Sequence, residues 1–482
     1  MAGLFNALNA ARTSLEVNQK SIEIIGNNIS NVNTEGYSRQ QAVLETYPAM
    51  NFGDFFIGQG VKISDVKRQH DVFIDQQIKE KAVNLGLEDA ATRPLSELDR
   101  VFNITEDNIS TDIDTFFDSL QELSANPADL VQRNNVILQG QVLSTSFNNT
   151  VNELNAIKEN INDTILSKLD TVNSQIQEIA DLNDRIYSIE IHGQTANSAR
   201  DQRDMVAKSL AQTLGAQSYE DPKGMLSVQL PGGLPLVQGT MPMSISADTS
   251  GSLLTLQLHA GGVVRDLTSN NMGGEFKGLV DIRDRFIPEL NADLDKLAYE
   301  LSTQVNLQHQ AGGALDSSTG NLFFSVPPNY VASPPGPPPA AAEYKDAARE
   351  MRVVLTDPKK IAAGAAPDPG PPPGTVSPGD NRNALILSNI ADNYLIDGTD
   401  NFNSLYGKIA AKVGVESNQN KLSLKGAQDA LVQLENFRDG LQGVSLEEEM
   451  ISLIQFQRGF ESSAKFLTTV DEMMNTIMGI KR

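Results

Sequence analysis

Histidine, the commonest general base and metal ligand, occurs only at His70, His192, His259 and His309, and no two stand in the His-Glu-x-x-His spacing that puts two zinc ligands on one helical face. Gly58-Gln59-Gly60 opens like a dinucleotide-binding turn. Ile63 then stands where the third glycine should be, and its side chain would block the close packing of helix on strand. No Gly-x-Ser-x-Gly elbow and no phosphate-binding P-loop occurs. With no cysteine, disulfides, thiolate zinc ligands and thiol nucleophiles are excluded together. The densest charged group, Asp201-Gln202-Arg203-Asp204, reads on a helix as a solvated face with local ion pairs. These residues offer no catalytic residue, no cofactor site and no metal site, so the chain reads as a non-enzyme.

A net charge of -23 over 482 residues repels phosphate backbones and anionic lipid, which argues against nucleic-acid and membrane partners. Aromatics make up 6% and tryptophan is absent, a composition suited to long helices packed through Leu, Ile and Val. No run of roughly 18 apolar residues is present to span a membrane. Met1-Ala2-Gly3-Leu4-Phe5-Asn6 lacks a basic region followed by an apolar one. The reading is a chain that stays in the cytoplasm or leaves it without a cleaved signal.

The elements follow from periodicity. Leu4, Leu8, Ala11, Leu15, Asn18, Ile22, Ile25 and Ile29 recur at alternating steps of four and three, a coiled-coil seam with one polar member, Asn18, able to fix register. The Asn-rich stretch from Asn27 to Tyr37 should end that helix, with Gly36 free to take positive φ. Strands are expected at Gln40 to Tyr47 and around Gly60 to Ile63, with helix resuming at Asp71 to Val83. Thr111-Asp112-Ile113-Asp114 resembles a capping box for a helix that Asn126-Pro127 should stop.

From Gln141 to His192 there is neither Gly nor Pro, and the apolar period holds throughout, which predicts one helix of roughly 75 Å at 1.5 Å per residue. Short punctuated runs between residues 215 and 270 predict a small β-rich domain, and a helix returns from Phe286 to Leu307. Pro334 to Pro339 and Pro367 to Pro373 read as exposed polyproline-like loops. Ser445 caps a last helix, with Glu448 three residues on. Its seam runs Leu446, Met450, Leu453, Gln457, Phe460, Ala464, Leu467, Val470, Met474 and Ile477.

The expected fold class is mainly α with β domains: paired N- and C-terminal helices, a long central helical rod and a β-rich outer domain. The expected domains are 1–85, an axial helix with a short β segment; 86–212, the rod; 213–275, the β-rich outer domain; 276–310, a helix returning to the rod; 311–382, an outer region with the Pro-rich insertion; and 383–482, the C-terminal helical region. Each terminal seam lies beside polar loop, so the two should bury against each other and bring the chain ends together.

Asn27-Asn28-Ile29-Ser30-Asn31-Val32-Asn33-Thr34-Glu35-Gly36-Tyr37-Ser38-Arg39-Gln40 resembles the N-terminal signature of the flagellar rod, hook and hook-associated axial family, and Leu446 to Ile480 is similar to its C-terminal signature. Internal segments narrow the likeness to the hook-associated members. These are Gly58-Gln59-Gly60-Val61 with Arg68 and Asp71, Phe116-Phe117 to Asn126-Pro127, Asp201 to Asp204, Val305-Asn306 with His309, and Gly379-Asp380-Asn381 with Asn383-Ala384-Leu385. Gly26 and Gly459 stand where the family more often has Ala, each costing up to about 1 kcal/mol of helix stability.

The resemblance implies a structural subunit of the hook-filament junction, forming a homo-oligomeric helical or ring-like layer with hook protein below and a second hook-associated junction protein above. It also implies flagellar type III export after a transient cytoplasmic stage, with a cytoplasmic chaperone on the C-terminal helix. The assembly seam would be Leu4, Leu8, Leu15, Ile22, Ile25, Ile29, Leu446, Met450, Leu453, Phe460, Leu467, Val470, Met474 and Ile477. Alternatives are a hook or distal rod subunit, or a surface-binding or hydrolase module on an axial scaffold.

Overall fold

The computed structural model describes residues 2–51, 56–103, 108–251, 254–328, 344–367, 374–393, 396 and 398–480. The two Pro-rich patches, apart from Pro367, lie outside them. The fold is mainly α with small antiparallel sheets. In order the elements are α1 (Ala2–Ser30), β1 (Gln40–Thr46), β2 (Met50–Asn51), β3 (Phe56–Ile57), β4 (Val61–Arg68), α2 (Val72–Val101), α3 (Ile109–Ala125), α4 (Leu130–Glu190) and α5 (Asn197–Leu214). The strands β5 (Gln217–Glu220), β6 (Leu226–Leu230), β7 (Leu234–Gln238), β8 (Met241–Pro242), β9 (Ser244–Asp248), β10 (Thr255–Ala260) and β11 (Val263–Leu267) follow. Then come α6 (Gly274–Asp281), a π-helical turn (Ile282–Phe286), α7 (Ile287–Ala311), β12 (Gly312–Gly313), α8 (Ala347–Glu350), β13 (Gly364–Ala365), α9 (Arg382–Ser388), α10 (Phe402–Gln442) and α11 (Leu446–Ile480). Helix α4 runs unbroken for 61 residues, about 90 Å at 1.5 Å per residue.

The chain forms two compact units. One holds Met1–Leu87, Ser167–Lys277 and Leu424–Arg482, and the other Glu88–Leu166 and Gly278–Ser423. In the first, α1 pairs with α11 and also packs on the β1–β4 ribbon. That ribbon runs antiparallel from Gln40 opposite Arg68 to Thr46 opposite Val61, with a bulge after Val43. Strands β5 to β8 form one sheet in chain order, and β9 to β11 a second. Period-two burial in β6 puts Leu226, Val228 and Leu230 inward. Leu182 and Ile186 of α4 pack on Ala196 and Ala199.

Two asparagines of α4 read the sheets as a paired strand would. Asn173 donates to Ile245 O and accepts from Ile245 N, both at 2.8 Å. Asn183 donates to Leu226 O and Gly239 O and accepts from Leu226 N.

The second unit is built around an aromatic cluster. Phe116 touches Phe117, Phe323 and Phe324, and Phe117 stacks on Phe402. Buried polar side chains again hold irregular backbone: Asn306 accepts from Phe323 N and Phe324 N and donates to Phe324 O. Buried Arg133 donates to Pro127 O and Ile361 O, both at 2.7 Å. The N-cap of α3 is Asn108, accepting from Thr111 N, and so lies three residues before the expected capping box. The helix stops at Ala125 before Asn126-Pro127, as expected.

Candidate functional site

The paired chain ends form the candidate site. Among the described side chains of α11, only Glu449 and Val470 are fully buried. The buried or half-buried side of α11 beyond Glu449 runs through Ser452, Leu453, Phe456, Gly459, Ser463, Ala464, Leu467, Val470 and Met474. The buried or half-buried face of α1 runs through Ala7, Ala11, Ser14, Asn18, Ser21, Ile25 and Asn28. Small residues bring the backbones close: Ser14 and Ser463 share a hydrogen bond at 2.8 Å, and a Cβ at Gly459 would stand 2.8 Å from Asn18 Oδ1.

Of the expected seam residues, Ala11, Asn18, Ile25, Leu453, Ala464, Leu467, Val470 and Met474 lie on these faces, while others stand to the side of them. Ile25 and Val470 are buried, and Leu4, Leu8, Leu15, Ile22, Ile29, Leu453, Leu467 and Met474 are half-buried. Leu446, Met450, Phe460 and Ile477 are exposed, and so is the expected polar seam residue Gln457. The reason is shape. Small side chains permit the closest approach, and α1 must also accommodate β4 and the residue before it, Gly60, which lies against Ala10 and Thr13. Several of the larger apolar residues, Leu446, Met450, Phe460 and Ile477 among them, are left exposed. On α11 they join Ile451, Ile454, Phe466 and Met473 on the outer side.

At the base of the pair the Asn-rich turn folds into a polar clasp. Asn28, buried, donates to Gln40 O at 2.9 Å and accepts from Gln40 N at 3.0 Å and Tyr37 OH at 2.8 Å. It also donates to Glu449 Oε2 at 3.1 Å. Arg39 Nε donates to Glu449 Oε1 at 2.6 Å and Nη1 to Glu448 Oε2 at 2.8 Å. The Glu448 carboxylate of the Ser445 cap thus points to Arg39. Gly36, at φ +77°, makes the turn possible; a Cβ there would collide with Met205 Sδ at 2.1 Å and would be strained at that φ. Burial, with Asp201 and Glu449 adding to it, pushes the Tyr37 hydroxyl up to about 12.

The Asp201 group is not a solvated face. Asp201 and Arg203 are buried, and only 15% of the Asp204 side chain is exposed. Asp201 accepts from Ser38 N and Ser38 Oγ and from Arg68 Nη1, and Arg68 Nη2 lies 2.7 Å from Asp204 Oδ2. Arg203 donates to Asn183 Oδ1, Gly224 O and Glu220 Oε2. Sequence spacing could not reveal this burial, because the partners Ser38, Arg68 and Asn183 are distant in the chain. Burial raises the Asp201 carboxyl despite Arg68. Burial also opposes ionisation of Asp204, but the charges of Arg68, Lys79 and His70 outweigh it and hold that carboxyl low.

His70, Asp75 and Asp204 offer donor atoms within 4.8 Å of one another, a grouping that could hold a divalent ion. Arg68 and Lys79 already supply positive charge there. Burial, then Arg68, lowers the His70 imidazole. The chemistry of the cluster is that of a neutralised buried ion network, whose parts position one another.

Comparison with known proteins gives three family matches. The flagellar hook-associated protein FlgK helical domain matches residues 95–324, the flagellar basal body rod FlgEFG protein C-terminal family 442–480, and the flagella basal body rod protein family 6–37. Flagellar hook-associated protein 1 of Bacillus subtilis is 25% identical over 517 residues, covering 99% of this chain and 98% of that relative. The Escherichia coli protein of the same name is 24% identical over 550 residues, covering 98% and 99%. The structure of the flagellar hook junction protein FlgK from Burkholderia pseudomallei matches with a TM-score of 0.66 at 17% identity, covering 77% of this chain and all of that one. With the terminal signatures, the internal segments and the fold in agreement, the chain is similar over nearly its full length to the proteins named flagellar hook-associated protein 1, a likeness that supports a structural, hook-associated role in the bacterial flagellum.

Proposed function

We propose that this chain is a structural subunit of the junction between hook and filament, needed for filament assembly, and that it acts by packing with further copies through its paired terminal helices. The observation that carries this reading is the outer side of α11. Ile451 is 67% exposed, Met473 54% and Phe466 49%, on a helix whose inner face is already occupied by α1. Apolar side chains aligned on one helix are costly to leave in water and mark an interaction surface.

Neighbouring copies in a homo-oligomeric helical or ring-like layer cover that face. Hook protein lies below the layer and a second hook-associated junction protein above it. Before assembly a cytoplasmic export chaperone shields the same helix, and the chain is secreted through the flagellar type III route. Among the described residues no helix is long and apolar enough to cross a membrane. The work is mechanical and requires no catalytic residue: the buried charges of Asp201, Asp204 and Arg68 are spent on one another.

Gold-labelled antibody against this chain, viewed by electron microscopy on isolated flagella, tests the placement. Label confined to a short band between hook and filament supports it, and label along the filament or at the basal body refutes it.

A further inference from the structure

We infer that the buried clasp of Asn28, Arg39 and Glu449, more than the apolar seam, sets the register of α11 on α1. Arg39 and Glu449 are then the positioning residues of the chain-end pair. The inference concerns the isolated chain and stands apart from the junction reading.

The contact face between the two helices is poor in register information. Ser14 meets Ser463 and Asn18 meets Gly459, and the small residues Ala7, Ala11 and Ser21 lie on the same side of α1 as these. Small residues repeating near every fourth and third position look nearly alike after a slide of one heptad. Met450, Ile451, Ile454 and Phe466 face outward, and the larger residues of the contact face, Leu453, Phe456, Leu467, Val470 and Met474, lie on the same three-and-four repeat, so that a slide of one heptad sets Leu467 where Met474 stood. Asn18 against Gly459 is one directional feature on the seam itself.

The clasp is directional at every contact. Glu449 has its two carboxylate oxygens committed to different partners, Oε1 to Arg39 Nε at 2.6 Å and Oε2 to Asn28 Nδ2 at 3.1 Å. A one-heptad slide of α11 takes the carboxylate about 10 Å away at 1.5 Å per residue, breaking both contacts. Buried Asn28 and half-buried Arg39 would then lack it. The clasp is itself anchored. Arg39 N donates to Gln442 O and Gln69 N donates to Arg39 O, while neighbouring Ser38 is held by Asp201 and through it by Arg68. The seat of α11 is thereby tied to α5 and β4 through one connected set of buried polar groups.

The chain has no native cysteine, so register can be read by disulfide trapping in the full-length protein without background. Ser14→Cys with Ser463→Cys reports the native register, whose hydroxyls are 2.8 Å apart. Ser14→Cys with Phe456→Cys, or with Val470→Cys, reports a slide of one heptad either way. With the clasp intact only the 14–463 pair should form. Adding Arg39→Ala or Glu449→Ala should slow 14–463 trapping at least tenfold and bring up the shifted pairs. Undiminished 14–463 trapping in both variants would overturn the inference.

Should those variants fail to fold by far-UV circular dichroism, hydrogen exchange on the unmutated chain decides. Amides at 450–456 should be the slowest to exchange in α11. Slowest exchange at 463–474 would place the anchor on the seam and overturn the proposal.

Discussion

Gly459 of the last helix is the notch into which Asn18 of the first helix fits: a Cβ at 459 would lie 2.8 Å from Asn18 Oδ1 and 3.1 Å from its Cγ. A glycine in mid-helix costs up to about 1 kcal/mol relative to alanine, and here the close approach of a polar side chain explains its presence. Gly459→Ala should therefore stabilise the pair by about 1 kcal/mol in an Asn18→Ala background and by distinctly less in the native one, a coupling of about 0.5–1 kcal/mol. Chemical denaturation of the four proteins of the cycle measures it. Equal effects in both backgrounds would show that the notch does not matter.

Asn28 is the most connected residue of the terminal turn. Truncation to alanine strands the Gln40 N–H and C=O together with one oxygen of Glu449. Asn28→Ala should cost about 3 kcal/mol, the scale expected when several buried polar groups lose their partner. Asn28→Asp should cost more, because it sets a second carboxylate against buried Glu449. Urea denaturation distinguishes the two, and an Asp variant as stable as native would contradict the geometry.

His309 gives the second unit an acid sensitivity. Its ring donates from Nδ1 to Asn321 O and accepts at Nε2 from Ala362 N, and burial lowers its pKa from 6.5 to about 4. Above pH 6.5 the folded and unfolded states are both neutral here. Between 6.5 and about 4 the unfolded state takes up the proton first, so stability falls as pH falls, by up to about 3 kcal/mol, and levels off below. His309→Gln should flatten the curve in that window. Parallel curves for native and variant would exclude His309 as the cause.

Arg203 is buried and forks to Asn183, Gly224 and Glu220, linking α5 to α4 and to the backbone around β6. Lysine keeps the charge but not the planar fork, so Arg203→Lys should lose about 2 kcal/mol. Thermal melting should show the loss, and a native-like melt would mean the fork carries little.

How much of this was legible in the sequence depended on which physical signal each residue carries. The apolar period of α4 marked a long helix because every turn repeats it, and Asn126-Pro127 stops α3 because proline has no N–H to give. The seam was read from the period of apolar and small residues, which reaches Ala11, Ile25, Leu453, Leu467, Val470 and Met474, but period alone does not tell that Ser14, Ser463 and Gly459 bring α1 and α11 close while Met450 and Phe460 stay outside. Asp201 and Arg203 looked solvated because a charge reveals its burial only through partners far along the chain. Several residues that carried the family resemblance, Asn28, Arg39, Asp201, Arg203, Asn306 and His309, are the ones that clip distant backbone or pair buried charges. Such contacts specify one partner each, and periodicity leaves no trace of them.

The most direct measurement of the junction role is the fate of flagellin in the source bacterium once the gene is deleted. Hooks without filaments are expected, with flagellin shed into the medium. Attachment should return with the intact gene and fail with a copy lacking residues 446–482. Normal attached filaments in the deletion strain would contradict the junction role, and full rescue by the shortened copy would contradict the part given to the paired ends.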